Sequence, residues 1–108
     1  MTRSPSGHLL PAGDPLQIFK DMAITRADFF RLIGIALGTD AYRSDADGIT
    51  LEDGARRLRI DLGAEQRRRI ALLEIAHMPV TLSMEGYSEA EAGALLVRFD
   101  RAFQRGGG

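Results

Sequence analysis

The residues of this chain that could perform catalysis are few and scattered. There are two histidines, His8 and His77, and no cysteine, which excludes thiol nucleophiles, thiolate metal sites and disulfides. The sequence has no nucleophile elbow, glycine-rich phosphate loop or HExxH motif. A closed pocket around His77, Glu85 or Tyr87 would favour a small enzyme. The sequence gives no sign of such a site, so it predicts no catalytic residues and no cofactor.

Two aspartates and a glycine have part of the spacing of a calcium-binding loop. Asp45, Asp47 and Gly48 match its third, fifth and sixth positions. The same alignment places Arg43 at the first position and Gly54 at the twelfth, where neither residue supplies a carboxylate. We therefore interpret the segment as a polar hairpin turn and predict no metal site.

Arginines form the most distinctive charged feature. Six of them lie between positions 56 and 69: Arg56, Arg57, Arg59, Arg67, Arg68 and Arg69. Guanidinium groups suit bidentate contact with phosphate or carboxylate. Four acidic residues between positions 52 and 65 reduce the segment to two net positive charges, six minus four, and no aromatic residue offers a stacking platform. An anion- or nucleic-acid-binding site is therefore the alternative prediction, with these residues: Arg57, Arg59, Arg67 and Arg69.

Length and charge restrict the class of protein. A chain of 108 residues with a net charge of −1 has room for one domain, and it is neither a polycation for nucleic acid nor an acidic disordered tail. No apolar run approaches the length of a membrane span, so we expect no membrane partner. Thirteen of the fourteen basic residues are arginine and asparagine is absent, which indicates a GC-rich bacterial genome. With no signal peptide and no cysteine, the predicted location is the cytoplasm.

Two helices are predicted from their caps and apolar stripes. Thr25 is a good N-cap for a helix over 26–37, which ends at Gly38. Its apolar positions recur with helical spacing: Phe29, Leu32, Ile33, Ala36 and Leu37. Ser88 and Glu91 form a capping box for the second helix. The apolar stripe of that helix is Ala92, Leu95, Leu96, Phe99 and Phe103.

Strands joined by short turns are predicted between the helices. They lie at about 41–44, 49–51, 56–62, 68–75 and 80–85, with turns at Asp47-Gly48, Asp53-Gly54, 63–66 and 77–79. The fold class is therefore α+β: an antiparallel meander of four to five strands, flanked in sequence by two helices that pack on one face.

The two ends of the chain differ from its middle. Residues 1–22 hold three of the four prolines and no periodic pattern, so we expect a mobile N-terminal extension that is dispensable up to residue 21. A single domain then covers 23–105, and 106–108 form a flexible glycine tail. Whether translation starts at Met1 or Met22 is left open.

Self-association is the leading functional prediction. In one strand register Leu73 and Ile75 point away from the helices, and in the other Ile70 and Leu72 do, so one apolar pair is exposed in either case. The uncharged segment Val80–Met84 is expected to be an unprotected sheet edge. We predict a non-enzymatic interaction or accessory module that binds a second copy or another protein. The interface residues would be Leu73, Ile75, Val80 and Thr81.

Overall fold

The α+β class is confirmed by the structure, a computed structural model that describes residues 16–107, with side chains to residue 104. It contains two helices and a six-stranded antiparallel sheet. The elements are β1 (Leu16–Met22), α1 (Arg26–Leu37), β2 (Arg43–Asp45), β3 (Gly48–Asp53), β4 (Arg56–Leu62), β5 (Gln66–Ile70), β6 (Leu73–Glu85) and α2 (Glu89–Gly107). The sheet order is β1-β6-β4-β3-β2, and β5 pairs only with β6.

Both helices begin at the predicted caps. The Thr25 hydroxyl accepts a hydrogen bond from the Asp28 N–H at 3.1 Å, and Gly38 ends α1 in the left-handed region at φ 72°. Ser88 and Glu91 form the predicted capping box, with hydrogen bonds of 2.9 and 3.1 Å. These signals are local, so the helix starts could be derived from the sequence.

The core lies between the two helices and one face of the sheet. The even-numbered residues of β6 from Met78 to Met84 face the helices and are buried, as are Leu58 and Ile60 of β4. Phe29 of α1 stacks on Phe103 of α2, with ring centroids 5.3 Å apart. Val80, predicted as an interface residue, is 1% exposed because it belongs to this face, so the structure places its side chain in the core.

Part of the expected N-terminal extension belongs to the sheet. Leu16–Met22 form β1, which pairs with Met78–Met84 of β6 and packs Leu16, Ile18 and Met22 against the core. Seven residues of the predicted extension are thus a structural strand, because alternate side chains of LQIFKDM reach the core. Residues 1–15 lie outside the described part of the chain.

At the C-terminus, the sequence predicted a flexible glycine tail from position 106 onward. Helix α2 instead continues to Gly107, since helical backbone hydrogen bonds need no side chain. Gly108 lies outside the described residues.

The chain reverses at a different place from the predicted one. The strand expected over 68–75 is split by a turn at Ala71-Leu72, and Ile70 pairs with Leu73. The expected turn at 77–79 does not form, because β6 runs unbroken from Leu73 to Glu85. Pro79 is tolerated inside β6 because its missing N–H falls opposite an irregular segment, 63–65, that separates β4 from β5.

The predicted free edge is also wrong. Val80–Met84 lies in the middle of the sheet, paired with β1 on one side and β4 on the other. Among the described residues, no helix is long and apolar enough to span a membrane.

Candidate interaction surface

A two-stranded ribbon projects from the domain and contributes no buried residue. We call residues 66–77 the arm: it consists of β5, the turn at Ala71-Leu72 and the first five residues of β6. The molecule measures 51 × 31 × 24 Å, so it is clearly elongated. An isolated two-stranded hairpin is only marginally stable in water. The arm is therefore a feature that the core of the domain does not explain.

The arm carries most of the large exposed apolar side chains of the described chain. Leu72 is 96% exposed, Leu73 64%, Ile70 50% and Ile75 37%. Large apolar side chains that cluster on a surface mark contacts with other molecules more often than scattered ones do. The arm is thus the strongest candidate for a binding surface.

The two faces of the arm differ in chemistry. Arg68 pairs with Ile75 and Ile70 with Leu73, on the sheet face that the helices leave open. Arg67, Arg69 and Glu74 lie on the opposite face, where Arg69 and Glu74 are cross-strand partners. The ribbon is therefore amphipathic, with its aliphatic residues on the open face.

Helix α1 holds the base of the arm on one face. The Arg26 backbone N–H donates to Glu65 Oε1 at 2.8 Å, so Glu65 satisfies a free N–H at the helix N-terminus. The Arg26 guanidinium donates to the Gly63 carbonyl at 3.0 Å and also contacts the Ala46 carbonyl. These bonds fix the segment that joins β4 to the arm.

Strand β1 holds the base on the other face. Asp21 Oδ1 is 3.1 Å from His77 Nδ1, and Asp21 Oδ2 is 3.8 Å from the Arg68 guanidinium. Asp21 therefore contacts both strands of the arm. The arm projects in a defined direction because both faces of its base are tied to the domain.

Neither edge of the arm has a partner strand in the described part of the chain: β5 pairs only with β6, and the other side of 73–77 is also unpaired. The Gly63 N–H donates to the Pro79 carbonyl at 2.8 Å, which shows that Pro79 points its carbonyl toward β4. Backbone groups of alternate residues point to alternate edges, so Glu74 and Ala76 point theirs away from β5. On that side β1 ends at Met22, opposite Met78. The N–H and C=O groups of Glu74 and Ala76 therefore form an open edge.

The arginines predicted as an anion site are not brought together. Arg57 and Arg59 lie on the open face of β4, whereas Arg67 and Arg69 lie on the arm and on its other face. Arg67 is 3.4 Å from Glu65, and Arg69 is 3.8 Å from Glu74. The four side chains do not form one basic patch.

Arg59 is neutralised within the sheet. It donates to Asp45 at 2.9 Å and to Asp61 at 2.8 Å, and these carboxylates raise the pKa of its guanidinium. The same hydrogen bond from Arg59, helped by the Asp47 N–H, lowers the pKa of Asp45 to about 2. Arg57 lies 3.5 Å from Glu52. The open face of β3 and β4 is therefore an ion-pair network.

The catalytic candidates do not assemble into a site. His77 contacts Asp21 at the base of the arm, and Glu85 pairs with Arg57 across the sheet. Tyr87 lines an open cleft of about 480 Å³, where Arg56 lies 5.6 Å from its ring and burial raises the pKa of its hydroxyl. Within the described residues, no group of three or more His, Asp or Glu side chains could hold a metal ion.

The remaining predicted interface residues lie in different places. Leu73 and Ile75 are on the arm, whereas Thr81 is half-buried in the middle of the open face, between Phe19 and Asp61. Sequence reasoning missed Leu72 as the tip of a turn and missed the open edge at Glu74 and Ala76.

Comparison of the chain with known protein families, with curated proteins and with solved structures finds no match. The functional argument therefore depends on the geometry of this chain alone.

Proposed function

We propose that this protein is a small non-enzymatic interaction module that self-associates into a homodimer through its arm. The observation that carries the proposal is the arm itself: it adds nothing to the core, yet it exposes Ile70, Leu72, Leu73 and Ile75. Exposed aliphatic side chains cost free energy in water, and burying them against a partner recovers about 25 cal/mol per Å².

Three features favour a second copy as the partner. The aliphatic residues of the arm lie on one face and beside an open edge, and both can be matched by the same surface of an identical chain. The arm has two net positive charges over 66–77, three arginines minus Glu74, which is too few to prevent two arms from meeting. Closed two-fold dimers are also the commonest oligomers. The composition supports a bacterial, cytoplasmic setting for this dimer.

An anion- or nucleic-acid-binding function is the second candidate. The three consecutive arginines of the arm favour it, and a two-stranded β-ribbon fits the major groove of DNA. Acidic partners at 3.4 to 3.8 Å from all three arginines weigh against it. A salt titration separates the candidates, because phosphate contacts make binding fall steeply with salt and apolar contacts do not.

Light scattering on a size-exclusion column tests the proposal. The parent protein is expected at twice its 11.8 kDa mass, and Leu73→Arg at the monomer mass with an unchanged circular dichroism spectrum. Val97→Arg is the matched control, since Val97 is 54% exposed on α2, far from the arm in sequence and on another element. A monomeric parent at high micromolar concentration would contradict the proposal.

A further inference from the structure

We infer that two copies join by packing their open sheet faces together, with the arms pointing in opposite directions and the arm of each copy covering Phe19 of the other. The two-fold axis then lies between the two sheets at the level of His77, at the base of both arms. This inference rests on the proposed self-association and specifies which surface is buried. Its observations are the place of Phe19, the spacing along β6 and the charge of the face beyond Thr81.

The open face differs from the rest of the arm in its side chains. Of the seven large apolar side chains exposed in the described chain, four lie on it: Phe19, Ile70, Leu73 and Ile75. The other face of the arm carries Arg67, Arg69 and Glu74. The two unpaired edges of the arm offer the same backbone groups, whereas its two faces differ. Side-chain chemistry therefore selects the open face, and both helices pack on the opposite side of the sheet, where they leave it uncovered.

Phe19 and Leu73 lie at equal distances from the base of the arm. Phe19 is the cross-strand partner of Thr81, which follows His77 by four residues, and Leu73 precedes His77 by four. At about 3.3 Å per residue, both rows are about 13 Å from His77. A two-fold axis at His77, perpendicular to the strands, therefore brings Leu73 of each copy over the row of Phe19 and Thr81 of the other.

The charged side chains that this overlap covers have partners in their own chain. Asp21 contacts both His77 and Arg68, at 3.1 and 3.8 Å. Asp61, beside Thr81, accepts a hydrogen bond from Arg59 at 2.8 Å. A buried charge without a partner is strongly unfavourable. Because each of these charges keeps its partner, the overlap avoids that cost.

The charge beyond Thr81 selects the direction of the arms. Sheets that pack face to face keep their strands within about 30° of each other, so the two arms point either the same way or opposite ways. Arms that point the same way would stack the sheets along their whole length and bury the ion-pair network of β3 and β4, which carries a desolvation penalty. With opposite directions each arm ends near the row of Thr81, and most of the network stays in water.

This arrangement also buries more surface than contact between the arms alone. The overlap runs along β6 from Leu73 to Thr81, about 26 Å, whereas the segment 73–77 is about 13 Å long. The second sheet lies about 10 Å above the face, so β1 does not obstruct it. Stable interfaces bury about 800 Å² on each partner, which favours the longer overlap.

Thiol-specific cross-linking tests the arrangement, because the chain has no native cysteine. Facing residues of packed sheets are about 10 Å apart, so a bismaleimide of about that span joins them. Gln66, the cross-strand partner of His77, lies at the level of the axis, so Gln66→Cys is expected to form a covalent dimer on its own. Leu73→Cys is expected to react only when mixed with Phe19→Cys, since two Leu73 positions would lie about 26 Å apart. Ile35→Cys, 70% exposed on α1, controls for random collision.

A matched pair of substitutions tests the face itself. Ile70 and Arg69 are neighbours on β5 and lie on opposite faces. Ile70→Gln and Phe19→Gln are each expected to raise the dissociation constant of the dimer about 10-fold or more, whereas Arg69→Gln should change it less than about 3-fold. Sedimentation equilibrium measures all three constants.

The outcomes separate this inference from the proposed function. Cross-linking of Gln66→Cys and of the mixed pair, with Leu73→Cys and Ile35→Cys unreactive alone, supports the arrangement. A dimeric parent in which Leu73→Cys cross-links alone, Gln66→Cys does not, or Phe19→Gln leaves the dissociation constant unchanged overturns the arrangement and leaves self-association standing. A monomeric parent overturns both.

Discussion

Asp21 and His77 contact each other at 3.1 Å, although 56 residues separate them in the sequence. Asp21 is the penultimate residue of β1, and His77 is the last residue of the arm. Strand β1, near the start of the described chain, therefore fixes the direction of the arm, which follows β4. The account of function depends on this contact, since an arm without a defined direction could not present one face to a partner.

Removal of residues 1–21 is expected to destabilise the domain. The deletion takes away almost all of β1, including the half-buried Leu16 and Ile18. Partial loss of two aliphatic side chains and of a strand should cost about 2 to 4 kcal/mol, or a fall of roughly 10 °C or more in melting temperature. Thermal unfolding measures it. A truncated chain that melts within a few degrees of the parent would show that β1 adds little.

Gly63→Ala is expected to destabilise the domain by about 1 to 3 kcal/mol, because the added Cβ would overlap the ring of Pro79. Gly93→Ala is the matched control: at Gly93 in α2 the added carbon would point into open space, with nothing beyond its own helix backbone and neighbouring residues within 4 Å, so this change should stabilise by about 0.5 to 1 kcal/mol. Urea unfolding of both variants measures whether each substitution lowers or raises the free energy of unfolding. Equal effects would mean that Gly63 is not needed for the close approach at the base of the arm.

The Asp45 carboxylate should stabilise the fold only above acidic pH. Its pKa is lowered from 3.8 to about 2 in the folded chain by hydrogen bonds from Arg59 and the Asp47 N–H. A lowered folded pKa gives stability that is present above the unfolded pKa and is lost as pH falls through the folded one. Asp45→Asn should therefore be less stable than the parent at neutral pH, and the difference should shrink between about pH 4 and pH 2. A difference that does not change with pH, measured by urea unfolding, would contradict the role of this charge.

Leu72→Asp should weaken the dimer without weakening the monomer. Leu72 is 96% exposed and so contributes almost nothing to the fold, but a carboxylate at the arm tip would be unfavourable in an apolar interface formed by the arms. We expect the dissociation constant to rise about 10-fold or more, as the loss of roughly 1.4 kcal/mol or more implies. Sedimentation equilibrium measures it, with Val97→Asp as control. An unchanged constant would place the tip outside the interface.

The helices could be predicted from the sequence because their signals are local. Thr25, Gly38 and the Ser88–Glu91 box each act within one turn, and the stripe from Phe29 to Leu37 is buried as predicted. The sheet could not be predicted in the same detail. The Ala71-Leu72 turn has none of the usual turn residues, and Ala71 adopts φ 55°, a conformation that alanine seldom takes. At Pro79 the sequence predicted a turn that does not form, because proline usually ends a strand whereas β6 continues through it.

The strand register illustrates why the candidate surface was only half predictable. Sequence reasoning treated Leu73 with Ile75 and Ile70 with Leu72 as alternatives, because it placed all four on one strand. The turn divides them between two strands, and cross-strand partners share a face, so Ile70 and Leu73 are exposed together. The alternation of apolar residues indicated which residues of one strand share a face. The position of the turn determined which residues of the two strands are exposed together.

Amide hydrogen exchange at Arg68 and Ile75 tests the central claim most directly. These cross-strand partners lie in the middle of the arm, which in the single chain is a two-stranded ribbon of marginal stability. In the dimer a second copy would pack on the ribbon and suppress its opening. The account predicts that both amides exchange slowly at protein concentrations where the mass is doubled and rapidly on dilution to the monomer. Fast exchange of both amides at every concentration would contradict it.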